Sequence, residues 1–338
     1  MATSPMLDWL DTILQEERKR LACPGIVAGF IDAGNKPRIA SVGIQRVGSD
    51  TPLRATDALH LGSCTKALTA LLIGDAIGAG QLRFKTTLGA LSPVWKKSPW
   101  ADRTIDDVLR HEAGLPENAK WWGLAGTGLD VTAQRRDVLN TKWLDGSKRT
   151  TRGKYAYSNV GYVVLGSVID TVYGMPYEDV VQLRIARPNL LQSTGFGNPP
   201  SVSGHQQAQT GYLSTTLDNP PVMNSAGRLH MSMGDWLQTA SLHTDFRSFL
   251  PQDVRKQLQF SSVDGGYAGG WIVTKGSWAA GPALTHAGSN TFWFAVMWIA
   301  PNTGRAFAAV ANAAGAEVSN SLDRVIATMI RNSGPVRG

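Results

Sequence analysis

The sequence is poor in cysteine and has no long apolar run. Of its 338 residues, only Cys23 and Cys64 are cysteines. They are too few for a disulfide framework and do not form a Cys-x-x-Cys motif, so two free thiols are expected. No apolar stretch approaches the roughly 18 residues of a membrane span. The N-terminal segment has no apolar leader, so a cytoplasmic location is expected, although a periplasmic or secreted chain trimmed of its signal would look the same.

Basic residues are in excess, but they are scattered along the chain. Lys and Arg number 33 against 26 acidic residues, a formal net charge of +7. No basic run is interleaved with aromatic residues, and no zinc-finger spacing is present, so nucleic acid is not an expected partner. With 43% hydrophobic and 17% charged residues, the composition is that of a globular protein.

Several common catalytic signatures are also missing. There is no Gly-x-Ser-x-Gly nucleophile elbow and no Walker or Rossmann glycine pattern. His111-Glu112 lacks the second histidine of an H-E-x-x-H zinc site, and His111 is interpreted as structural. Neither a metal nor another cofactor is therefore expected. The remaining histidines that show no ligand spacing are His60, His205, His230 and His243.

Helical periodicity marks both ends of the chain. Apolar residues recur at helical spacing over 5–21, behind a predicted cap at Ser4-Pro5, and again over 316–332. Period-two alternation predicts two strands within 26–48, joined by a turn at Gly34-Asn35. Further strands are predicted late in the chain, at 265–276, 291–300 and 305–313.

Between these ends the pattern is mostly helical, with a helix over 64–79 and a short Thr-capped helix within 104–116. Strands from distant segments most easily share one antiparallel sheet with the terminal helices packed against it. The predicted fold class is therefore α+β, an α/β sandwich in which 1–55 and 225–338 form a discontinuous sheet domain. An inserted, mostly helical subdomain covers 56–224 and carries two of the motifs described next.

A serine and a lysine three residues apart begin the predicted helix at 64–79. A serine hydroxyl is a weak nucleophile until a neighbouring base takes its proton. Ser63 and Lys66 share one helical face, and burial would favour the neutral amine of the lysine. The alternative is an ordinary amphipathic helix capped by Ser63. Cys64 is interpreted as a packed thiol, about 100° around the helix from Ser63.

Two further stretches carry polar side chains beside predicted elements. Tyr157-Ser158-Asn159 precedes an apolar helix, and a tyrosine near a lysine ammonium loses its proton more easily and can act as a general base. The alternative is that Tyr157 packs and Asn159 caps the helix. His286-Ala287-Gly288 is expected on a sheet edge, where glycine permits close approach of a ligand. The alternative for His286 is a structural hydrogen bond.

Ser-x-x-Lys, Tyr-x-Asn and His-x-Gly occur in this order over about 225 residues. The set is similar to the S-x-x-K, S-D-N and K-T-G motifs of class A β-lactamases and penicillin-binding proteins. With supporting stretches at 104–116, 225–236, 267–271 and 286–304, the sequence resembles the serine β-lactamase and penicillin-binding-protein superfamily. It is most similar to the Tyr-containing branch, which holds class C β-lactamases, DD-peptidases, family VIII carboxylesterases and related amidases and acyltransferases.

The resemblance implies a role for each motif residue. Ser63 would be the acylated nucleophile. Lys66 and Tyr157 would share its proton, and Tyr157 would later activate water or an acceptor alcohol. The backbone N–H groups of Ser63 and Ser289 would form the oxyanion hole. The residues that the resemblance places against substrate are Asn159 (or against Lys66), His286 and Gly288.

Two positions depart from the family pattern. His286 stands in the place of the third-motif lysine, and a histidine is mostly neutral at pH 7, so it is a weaker anchor for a β-lactam carboxylate. Arg228 stands where a second glycine is common; it is interpreted as a surface residue, with a replacement cation as the alternative. The aromatic residues expected either to wall an acyl pocket or to belong to the core are Trp121, Trp122, Trp293 and Trp298.

The predicted function is a cofactor-free serine hydrolase that cleaves carboxylic esters of small or medium acyl groups. The alternatives are a β-lactamase or DD-peptidase, an amidase or acyltransferase, and a penicillin-sensing domain that is acylated at Ser63 without being deacylated. The expected partner is a small-molecule ester or amide. No signal for an oligomeric state is present.

Overall fold

The computed structural model describes residues 8–32, 35–144, 151–209, 211–244 and 246–334. The predicted cap at Ser4-Pro5 and Gly34 of the predicted turn lie outside these ranges. The remaining part of the first predicted helix is present and ends at Leu21.

The strands form one large sheet and two small ones. Numbered along the chain, they are β1 (Gly25–Ile31), β2 (Arg38–Gly43), β3 (Ala58–His60), β4 (Gly195–Phe196), β5 (Gly204–Ala208), β6 (Gly211–Thr215), β7 (Leu229–Ser232), β8 (Gly266–Ala268), β9 (Trp271–Gly276), β10 (Gly281–Ser289), β11 (Phe294–Ala300) and β12 (Arg305–Ala311). Among the described residues, the large sheet has seven strands in the order β2-β1-β12-β11-β10-β9-β8. The small sheets are β3-β7-β4 and the hairpin β5-β6.

The helices lie at both ends of the chain and in its middle. They are α1 (Asp8–Leu21), α2 (Thr65–Gly78), α3 (Leu88–Leu91), α4 (Ile105–Leu109), α5 (Trp121–Ala125), α6 (Val131–Asp137), α7 (Asn159–Tyr173), α8 (Tyr177–Val181), α9 (Asn224–Gly227), α10 (Met233–Ala240), α11 (Gln252–Leu258) and α12 (Ala316–Asn332). Across the ranges that the structure describes, no helix combines the length and apolarity needed to cross a membrane.

Strands from the two ends of the chain pair at the centre of the large sheet. β1 runs antiparallel to β12, with Ile26 opposite Ala311 and Ile31 opposite Ala306. Every residue of β12 is buried, because α1 and α12 cover one face of the sheet and α10 packs against the other as part of the larger core cluster. A sheet covered on both faces explains why these strands read as continuous apolar runs. The predicted α/β sandwich is confirmed.

One strand that positions the site was not predicted. The residues of β10 were not included in a predicted strand, although His286-Ala287-Gly288 was expected on a sheet edge. They form a strand between β9 and β11. Gly281-Pro282 and Gly288 hide the strand pattern, since glycine and proline are depleted in strand interiors. Short strands also occur in the middle of the chain, which was predicted to consist mostly of helices and long loops.

β10 extends beyond its neighbour β9. Its pairing with β9 ends at Thr285, whereas its pairing with β11 continues to Ser289. Residues 286–289 therefore form a local open edge within an otherwise interior strand. The turn that precedes α2 packs against this edge.

Candidate active site

Ser63 lies in a 3₁₀ turn, Gly62–Cys64, that leads directly into α2. Its hydroxyl does not cap the helix. Ser63 Oγ instead lies 3.0 Å from Lys66 Nζ and 2.8 Å from the Tyr157 hydroxyl. The turn is held by Thr65, whose Oγ1 donates to Gly62 O at 2.6 Å. The interpretation of Ser63 as an ordinary helix cap is therefore wrong.

The ammonium position of Lys66 is enclosed by acceptors. Lys66 is fully buried, and its Nζ lies 2.8 Å from Asn159 Oδ1 and 2.6 Å from Ala226 O, besides Ser63 Oγ. Burial lowers the pKa of Lys66 to about 7. A neutral amine has two protons, and the two carbonyl oxygens can only accept. The two amine protons are donated to these carbonyl oxygens, and the lone pair of the Lys66 nitrogen can then accept the proton of the Ser63 hydroxyl.

Tyr157 approaches the same hydroxyl from the loop before α7. Its phenol donates a hydrogen bond to Ser63 Oγ. Burial raises the pKa of Tyr157 well above its usual value, and the hydrogen bond with Ser63 only partly opposes this. The expectation that Lys66 would make the phenol lose its proton easily is therefore wrong for the free protein. Tyr157 is a proton donor in this state.

Asn159 is the first residue of α7, but it does not cap that helix. Ser158 is the cap, since its Oγ accepts from the Gly161 N–H at 3.0 Å. The Asn159 side chain is thereby free to accept from Lys66, and its Nδ2 donates to Asn118 Oδ1 at 2.9 Å. The sequence did not point to Asn118, because the two residues are 41 positions apart and share no motif spacing.

Two glycines let the turn at Ser63 touch the open edge of β10. A Cβ on Gly62 would lie 2.4 Å from Ser289 N, and a Cβ on Gly288 would lie 2.6 Å from Ser63 N and 2.2 Å from Leu61 O. Gly62 also has a φ of +51°, which glycine adopts most readily. The backbone nitrogens of Ser63 and Ser289 are consequently close together, beside the Ser63 hydroxyl. Two such amides can stabilise an oxyanion.

A family model described as beta-lactamase matches residues 10–328. The chain belongs to the β-lactamase family. Its sequence relatives include a hydrolase and a β-lactamase, and solved structures with the same fold include a D-amino acid amidase.

Individual relatives are distant. Unguisins hydrolase ungD of Aspergillus violaceofuscus is 27% identical over 241 residues, which is 65% of this chain and 42% of that protein. The chain thus spans less than half the length of that relative. Penicillin-binding protein 4 of Amycolatopsis lactamdurans is 23% identical over 312 residues, 85% of this chain and 80% of that one.

A solved structure shows the same fold over nearly the whole chain. The D-amino acid amidase of Ochrobactrum anthropi SV3, complexed with D-phenylalanine, superposes with a TM-score of 0.81 at 19% identity. The superposition covers 98% of this chain and 100% of the amidase.

In this β-lactamase-family chain, the third-motif histidine faces inward. His286 is 5% exposed. Its Nδ1 lies 2.6 Å from Ala287 O, and its Nε2 lies 3.0 Å from the Tyr267 hydroxyl. Burial, with a smaller contribution from Lys66, lowers the pKa of His286 to about 3. The ring is neutral and both nitrogens have protein partners, so the predicted substrate contact finds no support in this geometry.

His111 supports the tyrosine loop from beneath. Its Nδ1 accepts from the Ser158 N–H at 3.1 Å, and its carbonyl accepts from the Ala156 N–H at 2.8 Å. Its ring lies 4.5 Å from that of Tyr157 and 4.4 Å from that of Tyr267, centroid to centroid. These contacts agree with the structural role expected for His111. Tyr267, which joins His111 to His286, was not singled out by the sequence.

Arg228 is neither a surface residue nor a free cation. Its side chain is 13% exposed, its Nε donates to Asp218 at 3.0 Å, and its Nη1 donates to Asn224 Oδ1 at 2.6 Å. The interpretation as a surface residue is therefore wrong, and its charge is already paired.

The tryptophans divide between core and surface. Trp293 is fully buried, whereas Trp122 is 70% exposed. Trp298 packs against Trp278 at a ring distance of 6.3 Å, on the sheet face covered by the terminal helices. Trp121 is linked to the site, since its Nε1 donates to Asn118.

Both cysteines are free and buried, as predicted. Cys64 Sγ lies 3.4 Å from His286 O. Burial raises the pKa of this thiol far above its usual value, so the thiolate that a cysteine nucleophile requires is disfavoured.

Proposed function

We propose that the chain is a serine hydrolase that forms an acyl-enzyme at Ser63 and cleaves carboxylic esters of small or medium acyl groups. The observation that carries the proposal is the position of Lys66, a buried amine with a pKa of about 7 and an Nζ 3.0 Å from Ser63 Oγ. A base with a pKa near the working pH is suited to proton transfer. The nucleophile and its base are already in hydrogen-bond contact.

Acylation follows from these contacts. Neutral Lys66 takes the hydroxyl proton as Ser63 Oγ bonds to the ester carbonyl carbon. The negative charge that develops on the carbonyl oxygen is stabilised by the amides of Ser63 and Ser289. The carbon–oxygen bond to the alcohol then breaks, and the alkoxide leaves with the proton of Tyr157, which the protonated Lys66 restores.

Deacylation uses the same groups in reverse. A water molecule in the place of the alcohol gives a proton to Tyr157, which passes its own proton to the neutral Lys66, as the water oxygen bonds to the acyl carbon. The bond to Ser63 Oγ then breaks, Ser63 takes a proton back from the protonated Lys66, and the carboxylic acid leaves. No further group is required.

Preference for an ester is supported by the charges around the site. A β-lactam, or a peptide that ends in D-alanine, carries a carboxylate that needs a cation. His286 is neutral and bonded within the protein, and Arg228 is paired with Asp218. A simple ester has no carboxylate and loses nothing from these two features.

Amide hydrolysis is a second candidate, and the protonation of Tyr157 favours it. An amine is a poor leaving group unless it is protonated as it departs. The Tyr157 phenol keeps its proton and lies 2.8 Å from the nucleophile. Two of the relatives are named as a hydrolase of unguisins and a D-amino acid amidase.

The substrates can be compared directly. Purified protein is offered p-nitrophenyl butyrate, nitrocefin and D-phenylalanine amide in parallel. Ester turnover should exceed nitrocefin turnover by at least about 10²-fold in kcat/KM, an energy difference of about 3 kcal/mol. Faster turnover of nitrocefin would contradict the ester proposal, and faster turnover of the amide would favour the second candidate.

A pair of neighbouring substitutions identifies the nucleophile. Ser63→Ala should reduce kcat by about 10³-fold or more, since subtilisin loses about 10⁶-fold with its serine. Cys64→Ala is the matched control and should retain activity, because the thiol points away from the base. Acylation of wild-type protein without turnover would point instead to a penicillin sensor.

A further inference from the structure

A buried carboxylate outside the three motifs contacts several segments of the site. Asp218 lies between β6 and α9, and its side chain is 4% exposed. It accepts from Asn290 Nδ2 at 3.0 Å, from the Asn219 N–H at 2.8 Å and from Arg228 Nε at 3.0 Å. His60 Nε2 lies 3.3 Å from it. Burial raises the pKa of Asp218, but these donors outweigh burial and hold it at about 2.

His60 connects the carboxylate to the nucleophile turn. The ring is fully buried, and its Nδ1 accepts from the Gly62 N–H at 3.1 Å. A nitrogen that accepts a hydrogen bond carries no proton, so the ring proton must lie on Nε2, which faces Asp218. The carboxylate therefore fixes the tautomer of His60 and, through it, the backbone that immediately precedes Ser63.

Asn290 connects the same carboxylate to the open edge of β10. It follows Ser289 directly and is 8% exposed. Its Oδ1 accepts from the Phe292 N–H at 3.1 Å, so its Nδ2 is directed at Asp218. The two backbone amides of the oxyanion hole are thus anchored to one carboxylate from opposite sides.

Arg228 provides a third connection. It ends the short segment that includes Ala226, whose carbonyl accepts from Lys66 Nζ at 2.6 Å. The Asp218–Arg228 ion pair holds this segment against the loop that carries Asp218. Asp218 is therefore connected to three parts of the site: the turn that carries Ser63, through His60; the edge of β10, through Asn290; and the segment of Ala226, through Arg228.

We propose that Asp218 is a positioning residue that sets the spacing of the Ser63 and Ser289 amides and so the strength of the oxyanion hole. The inference rests on the proposed function. Asp218 touches no reacting atom, since it is enclosed by its four donors; it acts through His60 and Asn290.

Asp218→Asn tests the proposal with little change in shape. An asparagine has one acceptor oxygen where a carboxylate has two, and its NH₂ group would face one of the donors that now bond to Asp218, so that hydrogen bond would be lost. The kcat for p-nitrophenyl butyrate should fall about 10- to 100-fold, below the 10²–10³-fold typical of deleting an oxyanion donor. KM should change by less than about threefold, since the interaction lost is one made in the transition state.

The inhibition constant of phenylboronic acid provides a second measurement, which should not change if Asp218 only stabilises the fold. Its adduct with Ser63 places an anionic oxygen in the oxyanion hole, so its inhibition constant should rise by about the same factor as kcat falls. Asp75→Asn is the control, because Asp75 is also a buried carboxylate and pairs with Arg184 at 2.7 Å. Asp75 lies near the C-terminal end of α2, far from Ser63. It should leave kcat per folded molecule and boronate affinity unchanged.

Asn290→Ala removes one donor and keeps the ion pair, so it decides the matter if Asp218→Asn does not fold. It should also lower kcat and boronate affinity together. The proposal would be overturned if folded Asp218→Asn and Asn290→Ala kept the wild-type kcat and boronate affinity. It would also be overturned if Asp75→Asn lost as much kcat and boronate affinity as they do. Labelling of Ser63 by a fluorophosphonate separates the two claims. Wild-type protein that neither labels nor hydrolyses would refute the proposed function itself, whereas equal labelling rates for wild type and Asp218→Asn would refute only the positioning role.

Discussion

At the residue scale, the reactivity proposed for Ser63 depends on the burial of Lys66, which removes water from its amine. A solvated lysine keeps its proton at neutral pH and cannot serve as a base. Full burial of Lys66 among a hydroxyl and two carbonyl groups lowers its pKa to about 7. The same burial keeps the proton on Tyr157. One dry environment therefore produces a base and an acid on either side of a single hydroxyl.

The pH dependence of kcat/KM should follow Lys66. The amine must be neutral to accept the Ser63 proton, so activity should rise with pH through about 7 and fall about tenfold per unit below it. Lys66→Arg should be inactive at every pH, because a guanidinium does not lose its proton. Initial rates with p-nitrophenyl butyrate between pH 5 and about pH 9 would test this. A profile that stays flat down to pH 5 would rule out Lys66 as the base.

At the element scale, the site depends on strand β10, which extends four residues beyond the end of its pairing with β9. β10 continues past β9 from His286 to Ser289, which leaves backbone groups of this edge available to the turn before α2. The alternation of the strand places His286 and Gly288 toward the interior, while Ala287 and Ser289 are exposed. The side chain of His286 therefore packs behind the site, whereas the backbone of residues 287–289 lines the site.

Gly288→Ala should disrupt this contact. The new Cβ would lie 2.2 Å from Leu61 O and 2.6 Å from Ser63 N, so the strand edge must move away from the nucleophile turn. We expect kcat to fall by about 10²-fold, the effect of losing one oxyanion donor.

Gly234→Ala is the matched control for that substitution. Its Cβ would meet nothing closer than 3.7 Å, so steady-state rates should match the wild type. Full activity in Gly288→Ala would show that the amides of Ser63 and Ser289 do not act together.

At the scale of the whole molecule, the two ends of the chain are joined by more than the central strands. α1 and α12 pack on the same face of the large sheet. Glu17 of α1 accepts from Arg324 Nη2 at 2.8 Å and from Ser321 Oγ at 2.6 Å, both on α12. The hydrogen bond from Arg324 is the main reason that the pKa of Glu17 is lowered to about 2.

Glu17→Gln should destabilise the fold by about 1–2 kcal/mol at pH 7, a value reduced for the partial exposure of Arg324. Because the folded-state pKa lies below the unfolded one, this stabilisation is complete above pH 4.5 and is lost as pH falls toward 2. Urea denaturation at pH 7 and at about pH 3 would measure both values. Glu16→Gln, at an exposed neighbouring position, is the control. A Glu17→Gln difference that is the same at both pH values would contradict the assignment.

Local patterns were sufficient for the terminal helices, for most strands of the large sheet and for the pairing of Ser63 with Lys66. The three-residue spacing of Ser63 and Lys66 guarantees that both lie on one helical face, and the periodicity of 316–332 predicted α12 within its observed bounds. Sequence patterns failed where partners are distant. β10 needs β9 and β11 to define it, and its glycines and proline conceal it when it is read alone.

The sequence by itself determined which residues are available for chemistry, because motif order and helical spacing are local properties of the chain. The tertiary structure decided what each of them does. Lys66 becomes a weak base only when segments 93 and 160 residues away enclose it. His286, turned inward by the alternation of β10, meets Tyr267 there, and Asp218 joins three segments that no local pattern connects. Burial and hydrogen bonding between remote segments set protonation and orientation, and neither quantity can be read from residue spacing.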